Sequence, residues 1–342
     1  MAYTDNIQYL KINDPEELEL GSGLSELTLA YHTYGTLNAA GDNVIWVFHA
    51  LTASSKIEDW WDGAFGEDRI LDINQHFVVC ANLIGSCYGS TGPLDADPGT
   101  GKTFYHSFPV VTIRDQVRLF QRLKNHLSID RIWMGIGGSM GASHAMEWAI
   151  SEPALFQNLY LSVCSAKESS WGKAIHTAHR MAIEADQSWS ERKDDAGIQG
   201  MKAARAIGMV IYRNYLCYEE YQSDAEDTLT SFRSASYQRY QGDKLANRFN
   251  AFSYYRLLDS LDTHNVGRDR GSIAEALAMI KAKTVIVNID TDLLYPAVEQ
   301  QYIVDAIPNA IYESIASSYG HDGFLVETEK LTALYLKHFV DV

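Results

Sequence analysis

Short, nearly continuous apolar runs alternate with longer amphipathic segments along most of the chain. Runs of this length and composition are typical of strands that are covered on both faces. A looser alternation of polar and apolar residues near the N-terminus predicts two antiparallel strands, over 18–20 and 27–34. We expect the buried strands at 44–48, 77–81, 132–136, 159–164, 284–289 and 310–315.

The segments between the apolar runs predict helices. Thr112 followed by Asp115 is typical of a capping box, and an apolar stripe of helical period follows it. Further helices are expected over 142–150, from about 296, and over about 327–338. Because strands and helices alternate, we predict a mostly parallel sheet with helices on both faces.

The pattern changes between residues 165 and 271, where no convincing strand is found. This segment predicts several helices and is rich in aromatic residues and arginines. We therefore expect a core domain formed by residues 1–164 and 272–342, with residues 165–271 inserted as a helical lid domain. The lid would cover the end of the sheet at which such folds place their sites.

Charge and targeting signals narrow the function classes. A formal net charge of −16 argues against nucleic acids and anionic membranes as partners, although a few local arginines can still bind an anionic substrate. The N-terminus has no basic segment followed by an apolar one, and no apolar run approaches the length of a membrane span. We therefore expect a cytoplasmic protein. The cysteines are expected to be free thiols: Cys80, Cys87, Cys164 and Cys217.

A glycine-flanked serine gives the first indication of chemistry. The sequence 137–141 reads Gly-Gly-Ser-Met-Gly and lies between an apolar run and a predicted helix. This is the G-x-S-x-G pattern of a nucleophile elbow, in which a strained turn exposes the serine hydroxyl. Ser139 is therefore the candidate nucleophile. The backbone N–H of Met140 and that of Leu51, in the loop after an early strand, are the candidate oxyanion donors.

A serine nucleophile needs a histidine base and a carboxylate that orients the base. His321 follows a predicted strand, and Asp292 follows the preceding one, so the chain order is Ser, Asp, His. Asp290 is the competing carboxylate. No carboxylate was found to complete a metal site with His176 and His179, and we expect no metal.

These residues, with several other stretches, resemble the homoserine O-acetyltransferase family of α/β-hydrolase-fold enzymes. The resemblance runs from about residue 15 to the end. It is carried, in chain order, by residues 49–52, 85–93, 108–115, 137–141, 292–296 and 320–325.

The resemblance implies transfer of an acetyl group from acetyl-CoA to the hydroxyl of L-homoserine, an early step towards methionine, with no further cofactor. It also implies a two-fold homodimer formed through the lid. Arg205 and Tyr212 would bind the amino-acid substrate with Asp322, the arginine gripping the carboxylate and the aspartate the ammonium group. Succinyl transfer, serine as acceptor, and hydrolysis with water as acceptor remain open alternatives.

Overall fold

The computed structural model of the protein describes residues 6–14 and 16–340, which form a central sheet flanked by helices. The strands are β1 (Gln8–Ile12), β2 (Glu16–Glu17), β3 (Gly23–Leu24), β4 (Leu27–Tyr34), β5 (Val44–Phe48), β6 (Phe77–Ala81), β7 (Ile132–Gly138), β8 (Phe156–Ser162), β9 (Lys283–Ile289) and β10 (Ile311–Ile315). The eight-stranded sheet has the order β1-β4-β6-β5-β7-β8-β9-β10, and β2 and β3 pair separately.

The sheet is mostly parallel, as predicted. The run β6-β5-β7-β8-β9-β10 is parallel throughout, whereas β4 and then β1 join it antiparallel at one edge. Because parallel strands point the same way, the loops after β5, β7, β9 and β10 gather at a single edge of the sheet. All the residues predicted for the chemistry lie in or next to those loops, or in the helices that follow β8.

Helices cover both faces of the sheet, and further helices form the segment between β8 and β9. They are α1 (Glu58–Trp61), α2 (Ile113–His126), α3 (Met140–Ser151), α4 (Ser170–Glu184), α5 (Ile198–Tyr212), α6 (Tyr215–Gln222), α7 (Arg233–Ala246), α8 (Ala251–Asp262), α9 (Ile273–Leu277), α10 (Ala297–Ala306), α11 (Gly323–Val326) and α12 (Thr328–Phe339). The capping box predicted for α2 is present between Thr112 and Asp115. Across residues 6–14 and 16–340, no helix combines the length and the apolar character that a membrane crossing needs.

The sequence of the central strand β5 is apolar throughout because the strand is buried on both faces. Trp46 faces one layer, where its ring packs edge-on against Trp148 of α3 with centroids 4.9 Å apart. Ile45 and Val47 face the opposite layer, which also contains Leu331 of α12. Both faces of the strand are thus buried, and neither tolerates a polar position.

The N-terminal region departs from the prediction. The predicted strand over 18–20 is wrong, because these residues form the turn between β2 and β3, closed by the Gly21 N–H donating to the Leu18 carbonyl at 2.9 Å. The strand that pairs with β4 is β1, which the sequence did not predict. Lys11 lies on its exposed face, and Gln8 on the other face donates a hydrogen bond to Thr33 at 2.7 Å, so polar residues interrupt the apolar pattern on both faces.

The segment between β8 and β9 is helical, as predicted. Residues 165–271, all of which the structure describes, form α4 to α8 and a single isolated bridge between Lys167 and Asn265. Helix α5 lies against α4, against α7 and against the turn at 320–322 that carries His321. The helical segment therefore borders the site at the carboxyl edge of the sheet. Its division from the core as a separate lid domain remains a prediction.

Candidate active site

The serine lies on a sharp turn between β7 and α3. Ser139 has φ 57° and ψ −128°, a strained conformation for a residue with a side chain. The neighbouring glycines allow this turn to form. A Cβ at Gly141 would lie 2.1 Å from the Phe48 carbonyl oxygen, and one at Gly137 would lie 2.8 Å from the Gly141 backbone. Strand, turn and helix can approach this closely only with glycine at both positions.

Asp292 and His321 form a hydrogen-bonded pair. His321 Nδ1 donates to Asp292 Oδ2 at 2.8 Å, while Asp292 Oδ1 accepts the backbone N–H groups of Leu294 at 2.7 Å and Tyr295 at 3.1 Å. The carboxylate is buried and held on both oxygens. Because the carboxylate accepts, the proton resides on Nδ1, and Nε2 keeps a lone pair that can take up a proton.

Asp290, the competing carboxylate, faces elsewhere. Its Oδ1 accepts the backbone N–H of Ser317 at 3.1 Å, in the loop that precedes the histidine. Among the hydrogen bonds of the described residues, none joins Asp290 to His321. The alternative that the sequence left open thus has a clear geometric answer, since the two carboxylates lie two residues apart on a chain that turns sharply after β9.

The electrostatic surroundings favour a charged His321 ring. Burial alone would lower the pKa of this histidine. The charge and hydrogen bond of Asp292, together with the charges of Asp322 and Glu168, outweigh burial, so the pKa of His321 is raised. An imidazolium that forms during a reaction is therefore stabilised at this position.

The predicted residues meet at one cavity of about 560 Å³. Its wall includes Ser139, His321, Leu51, Arg205, Tyr212 and Asp322. Met140 is buried directly behind the serine as the first residue of α3, so its backbone N–H has no carbonyl partner one turn earlier in the helix. The structure thus brings the candidate nucleophile, the candidate base and the candidate substrate-binding residues to one cavity.

His49 precedes Leu51 and is not among the residues that line this cavity. Its Nδ1 lies 2.9 Å from the Ala50 carbonyl oxygen, and burial lowers the pKa of the ring to about 4. It is a neutral buried side chain that supports the loop.

Arg205 and Tyr212 form a layer over the cavity. The Arg205 guanidinium lies 5.5 Å from the Tyr212 ring centroid, and that ring lies 5.9 Å from the ring of His321. Within the part of the chain that the structure describes, no carboxylate is close enough to form an ion pair with Arg205. A half-buried arginine without an anionic partner is suited to binding an anionic group of a ligand.

Two features of the wall were not found from the sequence. Arg213 Nε lies 3.2 Å from Asp322 Oδ2, so the aspartate beside the base already has a cationic partner. His176 lines the cavity, and its Nδ1 donates to Asp262 Oδ1 at 2.7 Å. Each contact joins α4 or α5 to a distant part of the chain, and no local sequence pattern signals such a pairing.

All four cysteines are free, as predicted, and Cys80 and Cys164 are buried. Among residues 6–14 and 16–340, no three histidine, cysteine, aspartate or glutamate side chains are grouped so that they could hold a metal ion.

Comparison with known proteins adds to this geometry. A family model described as alpha/beta hydrolase fold matches residues 43–328. The chain is 44% identical over 322 residues to homoserine O-acetyltransferase from Cyclobacterium marinum. The aligned segment covers 94% of this chain and 92% of that protein. The chain belongs to the homoserine O-acetyltransferase family. The family membership and the α/β-hydrolase fold that the sequence motifs predicted are thereby confirmed.

Solved structures show how widely the fold of this family is used. The crystal structure of homoserine O-acetyltransferase from Bacillus anthracis superimposes with a TM-score of 0.87 at 22% identity, covering 96% of this chain and 97% of that chain. The acetyl esterase MekB superimposes with a TM-score of 0.84 at 22% identity, covering 98% and 96%. A transferase and an esterase thus share this fold, and the fold alone does not distinguish transfer from hydrolysis.

Proposed function

We propose that the protein is a homoserine O-acetyltransferase that transfers the acetyl group of acetyl-CoA to the side-chain hydroxyl of L-homoserine. One observation carries the proposal. The cavity holds Ser139 and the Asp292–His321 pair together with Arg205, a cation that has no ion-pair partner in the described chain. An esterase acting with water has no need of such a cation, whereas an amino-acid acceptor brings a carboxylate to it.

In the first half-reaction, His321 Nε2 takes the proton of the Ser139 hydroxyl, and Ser139 Oγ attacks the thioester carbonyl carbon. The backbone N–H groups of Leu51 and Met140 hold the oxyanion of the tetrahedral intermediate. When the intermediate collapses, the C–S bond breaks and the proton on His321 passes to the CoA thiolate. Asp292 keeps the imidazolium oriented and stabilised throughout. The products are the acetyl-serine and free CoA.

In the second half-reaction, the homoserine hydroxyl occupies the place that CoA has left. His321 takes its proton as the hydroxyl oxygen attacks the acetyl carbon, and then returns that proton to Ser139 Oγ as the ester bond to the serine breaks. Arg205, with Tyr212 beneath it, holds the substrate carboxylate, and Asp322 contacts the ammonium group. A serine, a histidine and backbone amides suffice for every step, so this route needs no metal or further cofactor.

We further propose a cytoplasmic homodimer that associates through residues 165–271, in a route towards methionine. Exposed apolar side chains on α5 and α6 support the interface, since Val210, Tyr215 and Leu216 are 53%, 73% and 54% exposed. A dimeric mass in light scattering at micromolar concentration is expected, and a strictly monomeric protein would contradict this part of the proposal.

The acceptor assignment is tested by separating the two half-reactions. Arg205→Ala should slow deacylation of the acetyl-enzyme by homoserine by orders of magnitude, because a buried charge partner is lost, while acylation by acetyl-CoA changes little. Rapid-mixing kinetics with acetyl-CoA and succinyl-CoA as donors, and with homoserine, serine and water as acceptors, measure both steps. If deacylation by water were as fast as deacylation by homoserine, the hydrolase alternative would be correct.

A further inference from the structure

A second histidine–carboxylate pair faces the same cavity as Ser139. His176, on α4, is buried and lines the cavity wall, and its Nδ1 donates to Asp262 Oδ1 at 2.7 Å. The other Asp262 oxygen accepts from Arg180 Nη2 at 2.6 Å. The ring of His176 is therefore held from behind by a carboxylate that is itself fixed by an arginine.

The hydrogen bond defines what His176 offers to the cavity. A carboxylate only accepts, so Nδ1 carries a proton, and Nε2 is the ring nitrogen left to accept a hydrogen bond when it is unprotonated. Nε2 has no hydrogen-bond partner among the residues that the structure describes. Nε2 is thus oriented and open to the cavity, where it can accept a hydrogen bond from a donor group of a ligand.

The chemistry of an amino-acid acceptor identifies that donor. In the proposed function, Arg205 takes the carboxylate and His321 takes the hydroxyl proton. The ammonium group carries three N–H donors, and its proposed partner Asp322 already pairs with Arg213 at 3.2 Å. Arg213 thus partly neutralises the Asp322 carboxylate. This single partner leaves other N–H donors of the ammonium group without acceptors.

We propose that His176, oriented by Asp262, accepts a hydrogen bond from the ammonium group of the amino-acid substrate and so determines specificity for an α-amino acid. This inference rests on the proposed function, because it assumes an amino-acid acceptor in the cavity. Asp262 is a positioning residue that acts through the imidazole ring.

The test compares two acceptors that differ only in the amino group, L-homoserine and 4-hydroxybutyrate. Deacylation of the pre-formed acetyl-enzyme is measured with each. His176→Leu keeps the volume but removes the acceptor atom, and should lower kcat/KM for homoserine about 10- to 100-fold, the size expected for a lost hydrogen bond to a charged group. The rate with 4-hydroxybutyrate and the acylation rate with acetyl-CoA should stay unchanged.

Further variants separate binding from folding. His176→Gln restores an acceptor near the position of Nε2 and should recover part of the homoserine rate, and Asp262→Asn should give an intermediate loss. Met181→Ala, at an exposed position on α4, is the matched control and should behave like the unaltered protein. An equal fall with both acceptors, or an unchanged homoserine rate in His176→Leu, would overturn the inference. Failure of the unaltered protein to transfer acetyl to homoserine at all would instead overturn the proposed function.

Discussion

The pKa of His321 is raised by the charges of three carboxylates: Asp292, Asp322 and Glu168. Together they outweigh the burial that would otherwise lower the pKa of this ring. Only Asp292 touches it, through the bond of 2.8 Å to Nδ1. The other two act at a distance, and Asp322 does so while paired with Arg213. The protonation of the candidate base is thus set by a group of residues that extends beyond the hydrogen-bonded pair.

Replacing Asp322 should shift the pH dependence of acylation. The base works when neutral, so kcat/KM for acetyl-CoA should fall on the acid side as His321 becomes protonated. Because the negative charge of Asp322 raises the pKa of His321, Asp322→Asn should move this acid limb to lower pH. Asp290→Asn is the matched control, since Asp290 bonds to Ser317 and not to the base. An acid limb that stays in place or moves upward in Asp322→Asn would contradict this account.

The positions of the candidate site residues were predictable where the signal is local. Ser139 is marked by its flanking glycines, and Asp292 and His321 by their places after successive strands. Arg213 and the His176–Asp262 pair were not predictable, because each contact depends on how separate helices pack. Local sequence patterns report turns and strand ends, whereas side-chain pairs between helices depend on the tertiary structure.

At the scale of elements, the strand with two buried faces was predicted, whereas the half-exposed strand and the very short strands were missed. Strand β5 is recognisable because both of its faces are buried and every residue is apolar. Strand β1 lies at the edge and is half exposed, so its pattern is mixed. The pair β2 and β3 is too short to show any period, and the predicted strand over 18–20 is their turn.

The elbow helix α3 is anchored by a buried ion cluster. Glu147 is 4% exposed and accepts from both terminal nitrogens of Arg270, while Arg114 Nε lies 3.4 Å away. Glu147→Ala would leave both arginines without this partner, and should lower the free energy of unfolding by about 3–5 kcal/mol. Arg69→Ala breaks an exposed pair with Glu329 and should cost less than about 1 kcal/mol.

Urea unfolding of both variants measures these differences. The two variants compare the loss of a buried ion-paired side chain with the loss of an exposed one. Both substitutions break ion pairs, but only Glu147 is buried. A loss in Glu147→Ala as small as that in Arg69→Ala would show that the cluster does not anchor the helix.

At the scale of the whole molecule, buried neutral histidines should make the fold sensitive to acid. Burial lowers the pKa of His49 and His264 to about 4, and that of His144 and His179 to about 3. In the unfolded chain a histidine titrates near pKa ~6.5. The unfolded state therefore binds more protons below that pH, and the stability that is fully present above pH ~6.5 is lost as the pH falls towards the folded pKa values.

Each such histidine contributes up to about 1.4 kcal/mol per pH unit in this window. His321 has a raised pKa and contributes with the opposite sign, but it is outnumbered, since the pKa values of His76 and His106 are lowered as well. Thermal unfolding should therefore show Tm falling steeply between about pH 7 and about pH 5, where histidines of the unfolded chain take up protons. His144→Gln should flatten the slope, and His126→Gln, at an exposed position, is the control. Equal slopes in all three proteins would contradict this explanation.

The central claim is that Ser139 carries the acyl group between donor and acceptor. Intact-mass spectrometry after mixing with acetyl-CoA, in the absence of acceptor, tests it most directly. The unaltered protein should gain one acetyl group and lose it when homoserine is added, whereas Ser139→Ala should remain unlabelled, with turnover reduced by on the order of 10⁴-fold or more. His49→Ala should still be labelled, since His49 supports the loop after β5 and His321 is the proposed base. Labelling of Ser139→Ala to the same extent as the unaltered protein would contradict the claim.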